Sequence, residues 1–324
     1  MHTQSLYNYI STHLTNGQLP HDFSLPKVEG EAKVRFADGA MDGITFYHSA
    51  PVQIDEAETE LMKKAVGLAS GGKVEEADAA FSELGAEFRA ISIIDVLQEY
   101  IRENTDKLSA ENVYRTAMEL IQQSGNREAV KFGLCMRELF PRADEATKKV
   151  VRTVGLSDEF TIFAVWNMMN WEDGNEEIFG LIRKVRGWGR IHALERLEPE
   201  TAEIADWILR NGVDNDVMSA YSALTAWEKA GVEKRLGAKP SQEDFEAIGR
   251  IVLALLDEGP VTGISEVENA DVYLGWYLDL AESYELSDDD LDTVSELQSW
   301  AEKRRGSLRR IAGRCKAILE KNDT

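Results

Sequence analysis

Asp38, Asp42 and His48 stand close together in and beside the stretch Ala37-Asp-Gly-Ala-Met-Asp-Gly43. Carboxylate oxygens with an imidazole can hold a divalent metal, and paired carboxylates can exchange protons with a substrate. The stretch lacks the alternating acidic positions of a calcium loop, and aspartate and glycine are ordinary turn formers. The reading is therefore turn chemistry and no metal. If the loop reaches an inner surface, Asp38 and Asp42 become the acid–base candidates, with His192 the third catalytic candidate of an enzyme. A second group, Trp188, Arg190, His192 and Glu195, opens a helical stretch. Arg190 and His192 suit an anionic ligand at a helix N-terminus, where free backbone N–H groups already favour negative charge. The alternative is an ion pair between Arg190 and a carboxylate of the neighbouring helix.

A third group lies on residues 158–171. Phe160, Phe163 and Ala164 supply one apolar face, and Ile162, Val165, Trp166 and Met169 make the other side apolar too. A helix apolar all round must be covered. Either the N-terminal arm folds back onto it, or Trp166, Asn167 and Asn170 line a groove for a partner, where aromatic residues make binding hot spots. Tyr221 completes the binding candidates with Trp166, Asn167, Asn170, Trp188, Arg190 and His192. The chain has no glycine-rich phosphate loop with lysine, no G-x-G-x-x-G after a strand, no H-E-x-x-H and no G-x-S-x-G. No cofactor is expected. Cys135 and Cys315 are too far apart for a disulfide framework or zinc site, which points to a reducing cytoplasm.

The elements that must position these residues are almost all helical. Val34 and Phe36 alternate with Lys33 and Arg35, and Ile44, Phe46 and His48 alternate with Thr45 and Tyr47. Period two on both sides of residues 37–43 predicts a β-hairpin, the one β signal in the chain. From Asp55 onward amphipathic runs follow one another. Residues 175–187 and 188–197 form a pair that recurs as 201–212 and 215–231, with Gly187 and Gly212 expected to close the first helix of each in the left-handed conformation. Two helices per roughly 30 residues mark an α-solenoid.

The second helices begin alike: Asn126-Arg-Glu-Ala129, Ser157-Asp-Glu-Phe160, Asp214-Asn-Asp-Val217 and Asn269-Ala-Asp-Val272 each place a polar cap before an apolar fourth residue. On these residues the chain resembles HEAT-type helical repeats over roughly 108–285. Gly187-Trp-Gly-Arg-Ile-His-Ala-Leu-Glu-Arg-Leu197 is similar to uncharacterised bacterial helical-repeat proteins. The resemblance implies an all-α fold, a right-handed α-α solenoid of HEAT-like pairs, taken over 53–324, and the period-two pattern adds a small N-terminal β-hairpin arm (1–52) packed on it.

The net charge is −22 over 324 residues, and residues 303–324 hold 8 basic and 2 acidic residues, leaving −28 on the rest. Such a field repels nucleic acid and anionic lipid, both bound largely through cationic contacts with phosphate. The basic run Lys303-Arg-Arg305, Arg309-Arg310, Arg314 and Lys316 reads as an end cap. Phe160 to Met169, the longest nearly apolar run, falls well short of the ~20 residues that span a bilayer. The N-terminus lacks the apolar core of a signal peptide. The functional expectation is a protein–protein interaction module whose concave, acidic, aromatic-lined surface receives a basic or helical partner, as either a cytoplasmic assembly factor or an immunity-like protein that neutralises a basic toxin. The alternative is an enzyme or small-molecule binder with a pocket between hairpin and solenoid.

Overall fold

A computed structural model describes residues 4–27, 36–50 and 55–322. Among them lie eighteen α-helices and no strand, only a single antiparallel bridge between Thr15 and Gln18. Contacts divide the chain into two compact units, Met1–Arg196 and Leu197–Thr324.

The first unit holds α1 (Leu6–Thr12), α2 (Ala40–His48), α3 (Glu56–Ser70), α4 (Val74–Glu87), α5 (Ala90–Glu103) and α6 (Ala110–Gln123). It continues with α7 (Arg127–Glu138), α8 (Glu145–Gly155), α9 (Thr161–Met169), α10 (Gly174–Ile182) and α11 (Gly187–Arg196). The second unit holds α12 (Ala202–Asn211), α13 (Ala220–Lys229), α14 (Val232–Gly237), α15 (Gln242–Leu255), α16 (Ala270–Ala281), α17 (Asp288–Glu302) and α18 (Ser307–Asn322). Consecutive helices pack in pairs, as α3 with α4, α6 with α7, α8 with α9, and α17 with α18. This order is compatible with a helical-repeat fold. No helix of the described residues is long and apolar enough to cross a membrane.

The β-hairpin is not there. Residues 33–35 lie outside the described residues, but the second expected strand is helix α2. Its apolar alternation belongs to the wrong face. Ala40, Asp42 and Gly43 are buried, whereas Ile44 and Phe46 are 36% and 41% exposed. A helix that buries its small residues and an acid, and shows its large apolar ones, carries no conventional amphipathic signal.

Local start signals hold where a side chain reaches a free backbone N–H. Asn126 accepts from Ala129 N, Thr201 from Ile204 N and Ser241 from Asp244 N. Of the four polar starts that suggested repeats, only Asn126 caps its helix in this way. Phe160, Ser219 and Asn269 occupy the N-cap positions of α9, α13 and α16 without a side-chain cap. Gly187 does take a positive φ of 57°, but it opens α11 instead of closing α10. Gly212 ends α12 in the right-handed conformation, and a β-carbon there would lie 2.6 Å from the Ile208 carbonyl oxygen. Close packing, not backbone handedness, requires glycine at 212.

Helix α9 is covered by its neighbours. It packs against α7, α8, α10 and α11, which is why both of its faces are apolar.

Candidate functional site

Helix α7 carries Arg127, Glu128 and Lys131 inward, and Lys131 is completely buried. Its ammonium lies 2.6 Å from Asp42 Oδ2, 2.9 Å from Glu128 Oε1 and 2.6 Å from Glu159 Oε1. Arg89, at the N-cap of α5, reaches Asp42 Oδ1 at 3.3 Å, and Arg127 reaches Asp38 Oδ1 at 3.3 Å. The carboxylates also bond backbone. Glu159 accepts from Gly39 N at 2.8 Å, Glu128 from Ala90 N at 2.8 Å and Asp38 from Leu25 N at 2.8 Å. The cluster thus ties the loop before α2, α2 itself, α5, α7 and the start of α9 at one buried point.

Burial opposes the charge on Lys131, yet Asp42, Glu128 and Glu159 outweigh it and raise its pKa. Burial also pushes Asp42 up to about 6 against the pull of Lys131. For Glu159 the balance runs the other way: burial raises its pKa, but Lys131, Gly39 N and Arg127 hold it below the usual range. Asp158, beside this cluster, accepts from Gly189 N at 2.8 Å and is pushed up to about 8 by burial, although the N–H groups of Gly189 and Trp188 oppose that. Glycines make the fit possible. A β-carbon at 39 would lie 2.6 Å from the Asp158 carbonyl, one at 43 would overlap the Trp188 ring, and one at 187 would overlap the Asp158 carboxyl.

Next to the ion cluster α2 stacks on α11. The Tyr47 and His192 rings are parallel at 5.8 Å, Tyr47 lies 5.9 Å from Trp188, and Phe46 meets His192 edge-on at 5.4 Å. The Tyr47 hydroxyl donates to Glu195, which also pairs with Arg196. His192 is buried, and burial lowers its pKa against the pull of Glu195, whose carboxylate lies 3.7 Å from Nδ1.

The structure therefore brings together Asp38, Asp42, Trp188 and His192, four of the residues singled out in the sequence. Arg190 is half-buried on the same helix as the last two. Asn167 lies elsewhere on α9, where its amide bridges the Leu134 and Phe163 carbonyls at 3.0 and 2.9 Å. Trp166 is half-buried against Phe163, and Asn170 is exposed and donates to the Trp166 carbonyl. Tyr221 is half-buried in the second unit.

Sequence reading missed Lys131, Glu128, Glu159, Arg89 and Arg127. One signal was present: Lys131 stands inside Ala129-Val-Lys-Phe-Gly-Leu-Cys-Met136, and a charge inside an apolar run needs a partner. Burial pushes Asp42 up to about 6 and Asp158 up to about 8, toward the range in which general acids and bases work best. A substrate would have to stand where α2 stands, because Gly43 lies directly on Trp188. Among the described residues no group of three His, Cys, Asp or Glu side chains is placed to hold a metal ion.

Other openings lie at helix ends. A cavity of about 480 Å³ is lined by Pro141, Arg142, Lys148, Met169, Asn170 and Trp171. A second, of about 360 Å³, lies beside Trp276 in the second unit. No known protein family matches this chain, nor does a curated protein or a solved structure.

Proposed function

We propose that the chain is a protein-binding module built of HEAT-like helix pairs, and that its partner is basic. The observation that carries this reading lies in the second unit. That unit, 197–324, holds 27 acidic and 14 basic residues, a net of −13, with 25 of the acids and only 6 of the bases in 197–302. In that acidic setting Val217, Met218, Leu253, Val272 and Trp276 are each between 38% and 44% exposed. Large apolar side chains left in water among like charges favour a partner that supplies apolar surface and positive charge together. Four of the six basic residues of 197–302 are already engaged. Arg210 pairs with Asp244, Lys229 with Glu198, Arg235 with Asp206 and Arg250 with Asp214.

The test is cross-linking of the full chain in the cell that makes it, followed by identification of captured proteins. The expected result is one recurrent basic partner, whose complex, when not cross-linked, dissociates at about 0.5 M salt because exposed charges are screened at that strength. Recovery of no specific protein, or of an acidic one that resists salt, contradicts the reading.

A further inference from the structure

The exposed apolar residues of the second unit are not scattered evenly. Val272 and Trp276 stand one turn apart on α16, 44% and 40% exposed, so they form one ridge. Tyr273, half-buried, braces that ridge. Its ring lies 5.4 Å from Trp276 and 6.1 Å from Trp227, both edge-on. Trp276 also lines the cavity of about 360 Å³, together with Leu236, Gly237, Leu280, Lys239, Asp279 and Ser283. Gly237 is part of the shape: a β-carbon there would touch the Trp276 ring at 3.5 Å. The site is thus a half-exposed indole beside an open groove whose lining is part apolar and part polar.

Its surroundings are acidic. Glu233 bonds the Tyr273 hydroxyl and lies 3.4 Å from the Trp227 indole nitrogen. Glu268 precedes α16 and is exposed. Asp279 and Glu282 follow, each 2.7 Å from Arg314, which leaves that trio one negative charge in excess. Resting on the protein-binding reading above, we propose that this face of α16 receives an amphipathic helix of the partner. Apolar residues of that helix pack on Val272 and Trp276 and enter the groove, and lysines or arginines flank them. An exposed indole beside a groove is a typical anchor, and helix-in-groove recognition reads apolar residues at intervals of three and four. The charge complement decides against the other occupants. A second copy of this chain brings −22 to an acidic face, and an acidic peptide is repelled in the same way.

Two synthetic peptides of equal composition serve as probes: a leucine–lysine helix of ~18 residues with all its leucines on one face, and a scrambled version without a face. Binding to the full chain is measured by fluorescence anisotropy for wild type, Trp276→Ala, Val272→Ser and Met169→Ala, the last an exposed apolar site in the first unit. The expected result is binding of the facial helix that weakens about tenfold or more with Trp276→Ala and is unchanged with Met169→Ala, as for an anchor residue. The scrambled peptide binds at least about tenfold more weakly, a difference of 1.4 kcal/mol. Both substituted residues of α16 are exposed, and an unchanged far-ultraviolet dichroism spectrum confirms that the variants fold. Equal binding of the two peptides, or a Trp276→Ala affinity within about twofold of wild type, overturns the proposal. So does a concentration-dependent dimer that Trp276→Ala abolishes, because the occupant is then a second copy. If cross-linking in cells yields a basic partner that Trp276→Ala still captures, the protein-binding reading stands and only this surface is wrong. If the wild type captures nothing, the reading itself fails.

Discussion

Lys131 is the residue on which the first unit is most exposed to a single change. A buried ammonium is tolerable only while its carboxylates stay within hydrogen-bond range, and here there are three. Lys131→Met would leave Asp42, Glu128 and Glu159 facing one another, with Arg89 and Arg127 only partly compensating. The expected loss is about 3–5 kcal/mol in urea unfolding at pH 7. Asp42→Asn should cost much less, since Lys131 keeps two carboxylates and the Asp42 charge already meets the burial that raises its pKa to about 6. An Asp42→Asn variant as damaged as Lys131→Met would show that α2, not the ammonium, anchors the cluster. Asp158 gives a pH signature. Its pKa is about 8 when folded against 3.8 ordinarily, so the native state holds a proton that the unfolded chain releases. Stability from this group is present at low pH and is lost as pH rises from about 4 through about 8. Asp158→Asn keeps a side-chain oxygen for Gly189 N and removes that loss. Its unfolding free energy should therefore gain on wild type from pH 5 to pH 7 and again to pH 9. A constant gap would mean that Asp158 is ionised throughout, held by the N–H groups of Gly189 and Trp188.

Helix α2 is the element that converts these residues into a closed structure, and glycine is the reason it fits. Gly43→Ala places a methyl group in the Trp188 ring. Overpacking of this kind costs about 1–3 kcal/mol. The expected outcome is release of α2 from α11: red-shifted tryptophan emission and protease cleavage within 40–48, with the bulk of the helical dichroism retained. Gly67→Ala, exposed inside α3 with open space where the methyl would go, is the control and should stabilise by about 0.5–1 kcal/mol. If Gly43→Ala behaves like Gly67→Ala, the contact with Trp188 has slack and α2 is loosely seated. The same element shows where sequence reading succeeds and fails. Helices with a continuous apolar face, such as α6 over Ala110–Gln123 and α12 over Ala202–Asn211, were legible from spacing and caps. Helix α2 was not, because its buried face is Ala40, Asp42 and Gly43, and the cations that let an acid be buried there, Lys131 and Arg89, stand 89 and 47 positions away. The site shared that limit. Asp38, Asp42, Trp188 and His192 were visible as residue types, while Glu128 and Glu159 looked like ordinary helix-start acids until the fold turned them onto Lys131. The short α14 escaped for another reason: it begins just past Gly231, at φ 63°, where the expected run 215–231 ended.

At the scale of the molecule the governing quantity is the charge of −22, and it sets how stability responds to salt. Two effects compete. Ion pairs such as Arg210–Asp244, Arg235–Asp206 and Arg314–Asp279 are attractive, but each is at least partly exposed and worth about 0–1 kcal/mol. The excess acids repel one another over longer distances, above all in 197–302, where 25 acidic residues face 6 basic ones. The screening length is about 30 Å at 0.01 M and about 8 Å at 0.15 M, so added salt removes the long-range repulsion first and leaves close pairs largely intact. The Lys131 cluster is buried and should hardly respond. The melting temperature is therefore expected to rise by a few degrees between about 0.01 and 0.3 M sodium chloride, steeply at first and then level. Sodium chloride is the right salt, because sulfate stabilises by exclusion from any protein surface and would mimic the effect. Neutralising acids in 197–302 that make no ion pair, by Glu296→Gln and Asp292→Asn together, should raise the low-salt melting temperature and flatten the salt curve. A melting temperature that falls with salt would mean the attractive pairs outweigh the repulsion, and the acidic surface would then be a stabilising network instead of a charge held ready for a basic partner.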